Sequence, residues 1–398
     1  MKDLLFLAHR IPYPPDKGDK IRSWHMLRHL AQNWRVHLGA FVDDPADWRH
    51  EEFLRGVCAD VCLRPLNPRR GKLQSLSGLL TGEALSLPYY RDAGLAAWVA
   101  GKLASPSGVG HAVCFSSVMA QYLERARGRV RVMDFVDIDS DKWTQYAPTK
   151  PWPLSWLYRR EGRRLLDWER RVASEFDASL FVSPAEAADF QRLAPESAAR
   201  ISPLNNGVDA DYFSPANAYP NPYPAQKRVI AFTGAMDYWP NVDAVRGFAR
   251  EVMPALRERH ADTLFYIVGS RPGPEVMALA SDAVRVTGRV EDVRPYLAHA
   301  EAVVAPLRIA RGIQNKVLEG MAMARTVIAS PQALEGIAAR DGEEVLRAEG
   351  VADYLEAHTR IRAGLDLGGA ARARVLADYS WPAALAPLDR LLATEARA

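Results

Sequence analysis

Ten short apolar runs recur along the chain in two series, and longer helical patterns separate them. The first series is "LLFLA" (4–8), "VHLGAF" (36–41), "AVCFSS" (112–117), "VRVMDFV" (130–136) and "ASLFVS" (178–183). The second is "RVIAFTG" (228–234), "TLFYIVG" (263–269), "AVRVTG" (283–288), "AVVAPL" (302–307) and "TVIAS" (326–330). Runs apolar on both faces, alternating with helices, fit parallel strands covered on both sides. Each half therefore reads as a doubly wound α/β domain. A chain of 398 residues exceeds one ordinary core, which agrees with two domains. Between the series lies "PANAYPNPYPAQK" (215–227), rich in Pro and Asn and without periodicity. It reads as a linker between domains at 1–214 and 228–378, with a last helix in 379–398.

Charge and composition narrow the function classes. The 51 basic and 48 acidic residues leave a net +3, too balanced to mark a nucleic-acid binder by bulk charge. The three cysteines, Cys58, Cys62 and Cys114, lack the Cys/His spacing of a metal site and read as reduced thiols. The apolar run in "MKDLLFLAHRIPYPP" is too short for a signal peptide. No stretch reaches the roughly 18 apolar residues of a membrane span. The expectation is a cytoplasmic protein that reaches a membrane, if at all, from its surface.

Ligands of doubly wound folds bind beyond the carboxyl ends of the strands, so two such domains facing each other would line a cleft with those loops. The first loop, "HRIPYPPDKGDKIRSWHMLRHLA" (9–31), places Gly18 at a helix start, with Lys17, Lys20 and Arg22 beside it. A helix start offers free N–H groups to an anion. The loop is neither a Walker loop nor G-x-G-x-x-G, and an ordinary strand-to-helix turn explains it equally well. In the second half, "PLRIARGIQNKVLEGMA" (306–322) follows a buried run. Its segment Gly312, Ile313, Gln314, Asn315 and Lys316 opens a helix where N–H groups and one cation could hold a diphosphate. Glu319, one turn on and on the same face as Lys316, could accept two hydroxyl hydrogen bonds, as a ribose diol provides. The competing reading is a Lys–Glu pair on a solvated helix.

The motifs resemble the GT-B glycosyltransferases of family four. "PLNNGVDADYFSP" (203–215), "VTGRVEDVRPYLAHAEAVVAPL" (286–307), "NKVLEGMAM" followed by "TVIAS", and "YSWPAALAPLDRLL" (379–392) resemble that family's blocks in order and spacing. "LAHRIPYPPDKGDKIRSWHMLRHLA" and "DFVDIDSDKWTQYA" resemble the sugar transferases of exosortase and exopolysaccharide gene systems. The resemblance implies two Rossmann-like domains facing a cleft, with the closing helix packed back on the first. It implies transfer of a sugar, usually with retention, from a UDP- or GDP-linked donor and without a metal or other cofactor. It also assigns Glu319 to the donor ribose, Gly288, Arg289 and Val290 to the loop beside the base, and Gly18 to the diphosphate loop. Gly234, after the first strand of the second half, is counted with the donor site.

The chain departs from the family in three places. Arg311 stands where the first Glu of E-x7-E is expected, and could pair with phosphate or with a uronic-acid donor. "TGAMDYWPN" (233–241) lacks the cations that commonly grip the diphosphate, leaving Lys316 or Arg289 to substitute. Ala324 takes a place where the family often has glycine, at a cost of ~1 kcal/mol if its φ is positive.

On the acceptor side, "MDFVDIDSDKW" (133–143) offers Asp137 and Asp139 as general base or orienting groups, with capping as the plain alternative. The helix "PLSWLYRREGRRLLDWERRVASEF" (153–176) mixes aromatics with Arg159, Arg160, Arg163 and Arg164. That mix suits an anionic inner-membrane surface and a lipid-linked or other glycan acceptor, or else an amphipathic covering helix. The sequence thus points to a nucleotide-sugar-dependent glycosyltransferase of exopolysaccharide or cell-surface glycan synthesis. The alternatives are a non-catalytic partner subunit and a nucleotide-sugar 2-epimerase.

Overall fold

The computed structural model describes residues 1–104, 108–124, 126, 128–310 and 313–393. The chain divides into two compact units, 1–206 together with the residues from Leu385 on, and Gly207–Ala384. The first holds a seven-stranded sheet in the order β3-β2-β1-β4-β5-β6-β7. Its strands are β1 (Lys2–Ala8), β2 (Trp34–Val42), β3 (Asp60–Pro65), β4 (His111–Phe115), β5 (Val130–Val136), β6 (Ala178–Phe181) and β7 (Ile201–Pro203). The second holds a six-stranded sheet in the order β10-β9-β8-β11-β12-β13. Here the strands are β8 (Arg228–Thr233), β9 (Thr263–Val268), β10 (Val284–Gly288), β11 (Ala302–Ala305), β12 (Val327–Ala329) and β13 (Leu346–Arg347).

Every strand pair is parallel. The apolar runs explain this. Leu4, Leu5, Phe6 and Leu7 of β1 are all fully buried, so consecutive residues need cover on opposite faces of the sheet. Truncating one of them to Ala costs about 2–5 kcal/mol. In each sheet the strand order reverses once, between β1 and β4 and between β8 and β11. Each reversal opens a crevice at the carboxyl ends of the strands.

One sequence expectation is corrected. The stretch 215–227 belongs to the second unit: Tyr223 is buried and its hydroxyl donates to the Tyr296 carbonyl at 2.6 Å. Buried tyrosine, not the Pro/Asn bias, decides its place. The helix Trp239–Gly247 follows β8, and the side-chain amide of its Asn241 donates back to the Ala235 carbonyl at 2.9 Å. The last helix runs Trp381–Leu392. Its residues from Leu385 on count with the first unit, where His29 Nε2 lies 2.8 Å from Asp389 Oδ2.

Candidate functional site

In the second unit a cavity of about 540 Å³ lies at the strand-order reversal. Thr233 and Gly234 reach it from the end of β8, and Gly269 and Ser270 from the end of β9. The backbones of these two turns meet there: a Cβ on Gly269 would sit 1.6 Å from the Gly234 carbonyl oxygen, so only glycine fits. Arg289 and Val290 enter after β10, beyond Gly288, whose φ of +69° turns the strand. Gly288 itself ends β10 and does not line the cavity.

The fourth wall is the start of the helix Asn315–Ala322, with Ile313, Gln314, Asn315, Lys316 and Glu319 on the cavity. Val317, Leu318 and Met321 are fully buried on the other side, which fixes the helix and turns Lys316 and Glu319 outward together. The Asn315 and Lys316 amides precede the first hydrogen bond of the helix, from Val317 N–H to the Gln314 carbonyl at 3.0 Å. Arg311 and Gly312 lie outside the described residues.

The electrostatics of this wall are unusual. Burial pushes the Glu319 carboxyl up to about 7, and Lys316 only partly offsets it. Burial also lowers the Lys316 ammonium, against the pull of Glu319. Lys316 Nζ lies 3.4 Å from Gln314 Oε1 and 5.5 Å from the Phe232 ring centre. Among the described residues neither Lys316 nor Arg289 forms an ion pair. A half-buried cation without a carboxylate, beside amides at a helix start, is prepared for an anion.

The loop 233–241 holds no cation, as the sequence states, but the next loop carries one. Arg271, with a φ of +56°, lies 3.0 Å from Asp237 of that loop. Sequence reasoning missed Arg271, and it missed Gly269 and Ser270. The signal was the "VGSRPG" turn directly after a buried run.

The first unit has a larger cavity, about 850 Å³, also at its reversal, between His9 after β1 and Ser116 after β4. Tyr90, Phe115, Phe135, Trp143 and Tyr158 give it an aromatic lining. Asp137 and Asp139 line it too, but both are bonded to Lys142 Nζ, at 2.8 and 3.0 Å. These carboxylates overcome the burial of Lys142 and raise its pKa. Two non-glycine residues on this cavity have positive φ, Ser116 at +76° and Val136 at +69°. Such strain persists only where the surrounding structure imposes it, and it collects at functional sites.

Two of the three cations read from the first loop are corrected, while Lys17 is exposed and forms no ion pair among the described residues. Lys20 is buried and bonded to Asp47 at 2.7 Å, and Arg22 is buried in a two-pronged pair with Asp134 at 2.8 and 3.0 Å. Both are structural and cannot face an anion. Gly18 begins the helix Gly18–Asn33 without a side-chain cap, and the next residue, Asp19, lies 2.5 Å from Arg10 and 3.4 Å from His9. Burial raises the Asp19 carboxyl, but His9 and Arg10 outweigh it and hold Asp19 well below the usual carboxylate range. Of the four arginines read from the helix Leu154–Glu175, two meet carbonyls or a carboxylate. Arg160 donates to the Gly78 and Glu83 carbonyls at 2.7 and 3.2 Å, and Arg164 lies 3.7 Å from Asp167. Arg159 and Arg163 are exposed and form no ion pair among the described residues.

Two doubly wound parallel sheets of this kind define an α/β chain of the GT-B class. Residues 227–361, which include the whole cavity of the second unit, match the family model described as Glycosyl transferases group 1. The chain is similar in structure to sucrose-phosphate synthase from Thermosynechococcus elongatus, with a TM-score of 0.63 at 18% identity over 98% of each chain. It is also similar to a glycosyltransferase from Rickettsia africae, with a TM-score of 0.61 at 13% identity over 98% of each chain. A third likeness is to HepE of Anabaena in complex with UDP, with a TM-score of 0.60 at 15% identity over 98% of this chain and 99% of that one. At these identities the likeness is one of fold. No curated protein matches the chain at a significant level.

Proposed function

We propose that the protein is a glycosyltransferase that moves a sugar from a nucleoside diphosphate donor, with UDP favoured as the carrier, to a glycan or lipid-linked acceptor. The observation that carries this reading is the second unit's cavity, where Lys316 and Arg289, both without an ion pair among the described residues, and the helix start converge. The match of 227–361 supports it, as do the Anabaena structures in complex with UDP and with UDP-glucose.

In this reading the ribose hydroxyls donate to Glu319, and the diphosphate takes the Asn315 and Lys316 amides and the Lys316 ammonium. The anomeric carbon–oxygen bond to the diphosphate breaks and a bond to the acceptor oxygen forms. The acceptor proton leaves with the diphosphate, with retention at the anomeric carbon. Charge develops on the leaving diphosphate, and donors fixed beforehand stabilise it without reorganisation. Asp137 and Asp139 orient acceptor hydroxyls. No cofactor is assigned, and the product is a longer exported or cell-surface glycan.

The test is thermal shift with UDP, GDP and ADP, followed by acceptor-dependent release of the nucleotide from its sugar conjugate. One diphosphate should stabilise the chain saturably, and Glu319→Ala should weaken it. No binding by any of them to folded protein would refute the donor site. Binding without acceptor-dependent turnover would refute the enzyme.

A further inference from the structure

The first unit carries two exposed apolar segments whose polarity is inverted. In 67–81, Asn67 caps the helix Pro68–Ser75 by accepting from the Arg69 and Arg70 amides at 3.0 and 3.3 Å, and the helix Ser77–Thr81 follows. The buried positions are glycines. A Cβ on Gly71 would lie 2.8 Å from the Tyr89 ring, and one on Gly78 3.2 Å from the Glu83 carbonyl oxygen. The large residues point the other way, with Leu73 72% and Leu80 92% exposed, and Leu76 and Leu79 exposed beside them. In 146–160, Trp152 is 81% exposed, with Tyr146, Leu154 and Trp156 also exposed, while Ser155 is buried. Single exposed apolar residues are ordinary, but two such clusters are not.

The two segments are neighbours. Lys72 and Ser75 of the first and Leu154, Leu157 and Tyr158 of the second line the same cavity of about 850 Å³. Arg160 also ties the second to the Gly78 carbonyl at 2.7 Å. Lys72 and Leu154 are both exposed and both on the cavity, so its mouth lies at this surface. The charge is one-sided. Arg69, Arg70, Lys72, Lys150, Arg159 and Arg160 fall within the two segments, and neither segment contains an acid. Among the described residues Arg69, Arg70, Lys72 and Lys150 form no ion pair. Lys150 lies 5.8 Å from the centre of the Tyr158 ring.

We propose that this surface docks on an anionic phospholipid bilayer, with Leu73, Leu76, Leu80, Trp152 and Trp156 entering the interface and the cations meeting the headgroups. Exposed leucine and tryptophan among unpaired cations is the composition of an interfacial anchor. A second copy of the chain is a poorer occupant, because a symmetric contact would set these cations against themselves. The arginines of the helix Leu154–Glu175 contribute less than their sequence suggests, since Arg164, Arg170 and Arg171 face carboxylates. The cavity mouth beside the anchor would admit an amphipathic molecule from the bilayer. The surface stands independently of the donor site.

The test is sedimentation of the full chain with equimolar phosphatidylglycerol–phosphatidylcholine vesicles and with phosphatidylcholine alone. We expect binding to the anionic vesicles only. Leu80→Ser with Trp152→Ser should weaken it at least about tenfold through lost apolar burial. Arg69→Ser, Arg70→Ser and Lys72→Ser together should weaken it at least about tenfold and flatten its salt dependence. All five positions are exposed, so thermal midpoints should hold, and the shift given by UDP in the same variants reports separately on the donor reading. No binding to anionic vesicles, or binding that neither variant changes, would overturn the proposal. So would a dimer that Leu80→Ser with Trp152→Ser converts to monomer without any vesicle binding.

Discussion

The two cavities occupy equivalent places in two similar sheets, yet the charges at their strand ends are in opposite states, Lys72 at the first cavity's mouth apart. Around the first unit's cavity the charged groups nearest the strand ends already have partners: Arg10 with Asp19 and Asp43, Lys20 with Asp47, Arg22 with Asp134, and Lys142 with Asp137 and Asp139. On the second unit's cavity Lys316 and Arg289 have none among the described residues. A paired charge holds the fold together. An unpaired charge at a helix start awaits an anion. The contrast is the ground for proposing the diphosphate site in the second unit and an acceptor site in the aromatic chamber of the first.

The largest expected effect tests the structural half of that contrast. Arg22→Ala leaves Asp134 buried without its partner and should cost about 3–5 kcal/mol in chemical denaturation. The folded fraction should still bind UDP as the wild type does. A loss of UDP affinity at unchanged stability would break the comparison.

A smaller effect lies in the pH dependence of stability. The folded Glu319 carboxyl sits at about 7, above its ordinary 4.5, so the folded chain holds a proton there that the unfolded chain releases. The stability it contributes is full at low pH and is lost as pH rises from about 4.5 to about 7. Glu319→Gln should remove that fall, about 1–2 kcal/mol once screening by solvent is allowed for, and leave a flatter profile. Denaturation curves at pH 5 and pH 8 measure it.

Ala324, with a φ of +51°, provides a third test, since it adopts a conformation that glycine holds more cheaply. Ala324→Gly should stabilise the second unit by about 0.5–1 kcal/mol, read as a raised thermal midpoint, with UDP affinity unchanged. Arg271 sharpens the rule at its weakest point. It is a cation next to Ser270 of the second unit's cavity, but it is paired with Asp237. Arg271→Ala should therefore leave UDP affinity within about twofold by calorimetry.

The interior of the fold was legible in the sequence because the central strands are buried on both faces. The run 4–8 and the run 228–234 both fell in strands for that reason. β3, β7 and β13 were not legible. Each is an edge strand, short or covered on one side only, so no continuous apolar run marks it. In the second unit's cavity the helix start at Asn315 and the shared face of Lys316 and Glu319 could be placed from spacing alone. Gly269, Ser270 and Arg271 could not, because their position depends on a backbone approach between two turns. Lys20 and Arg22 misled for the converse reason: Asp47 and Asp134 are 27 and 112 residues from them along the chain, so nothing local shows that their charge is taken. The leucines of 67–81 carried their signal in the wrong direction, because burial of Gly71 and Gly78 turns them outward.

The central claim is that unpaired charge in the second unit holds the diphosphate. The most direct measurement is a calorimetric titration of UDP into the wild type, Lys316→Ala and Lys17→Ala. The account predicts that Lys316→Ala loses about 10–100-fold in affinity, as expected for a charge-assisted contact worth about 1.5–3 kcal/mol, while Lys17→Ala changes little. Equal affinity in Lys316→Ala and the wild type, or a larger loss in Lys17→Ala, would contradict it.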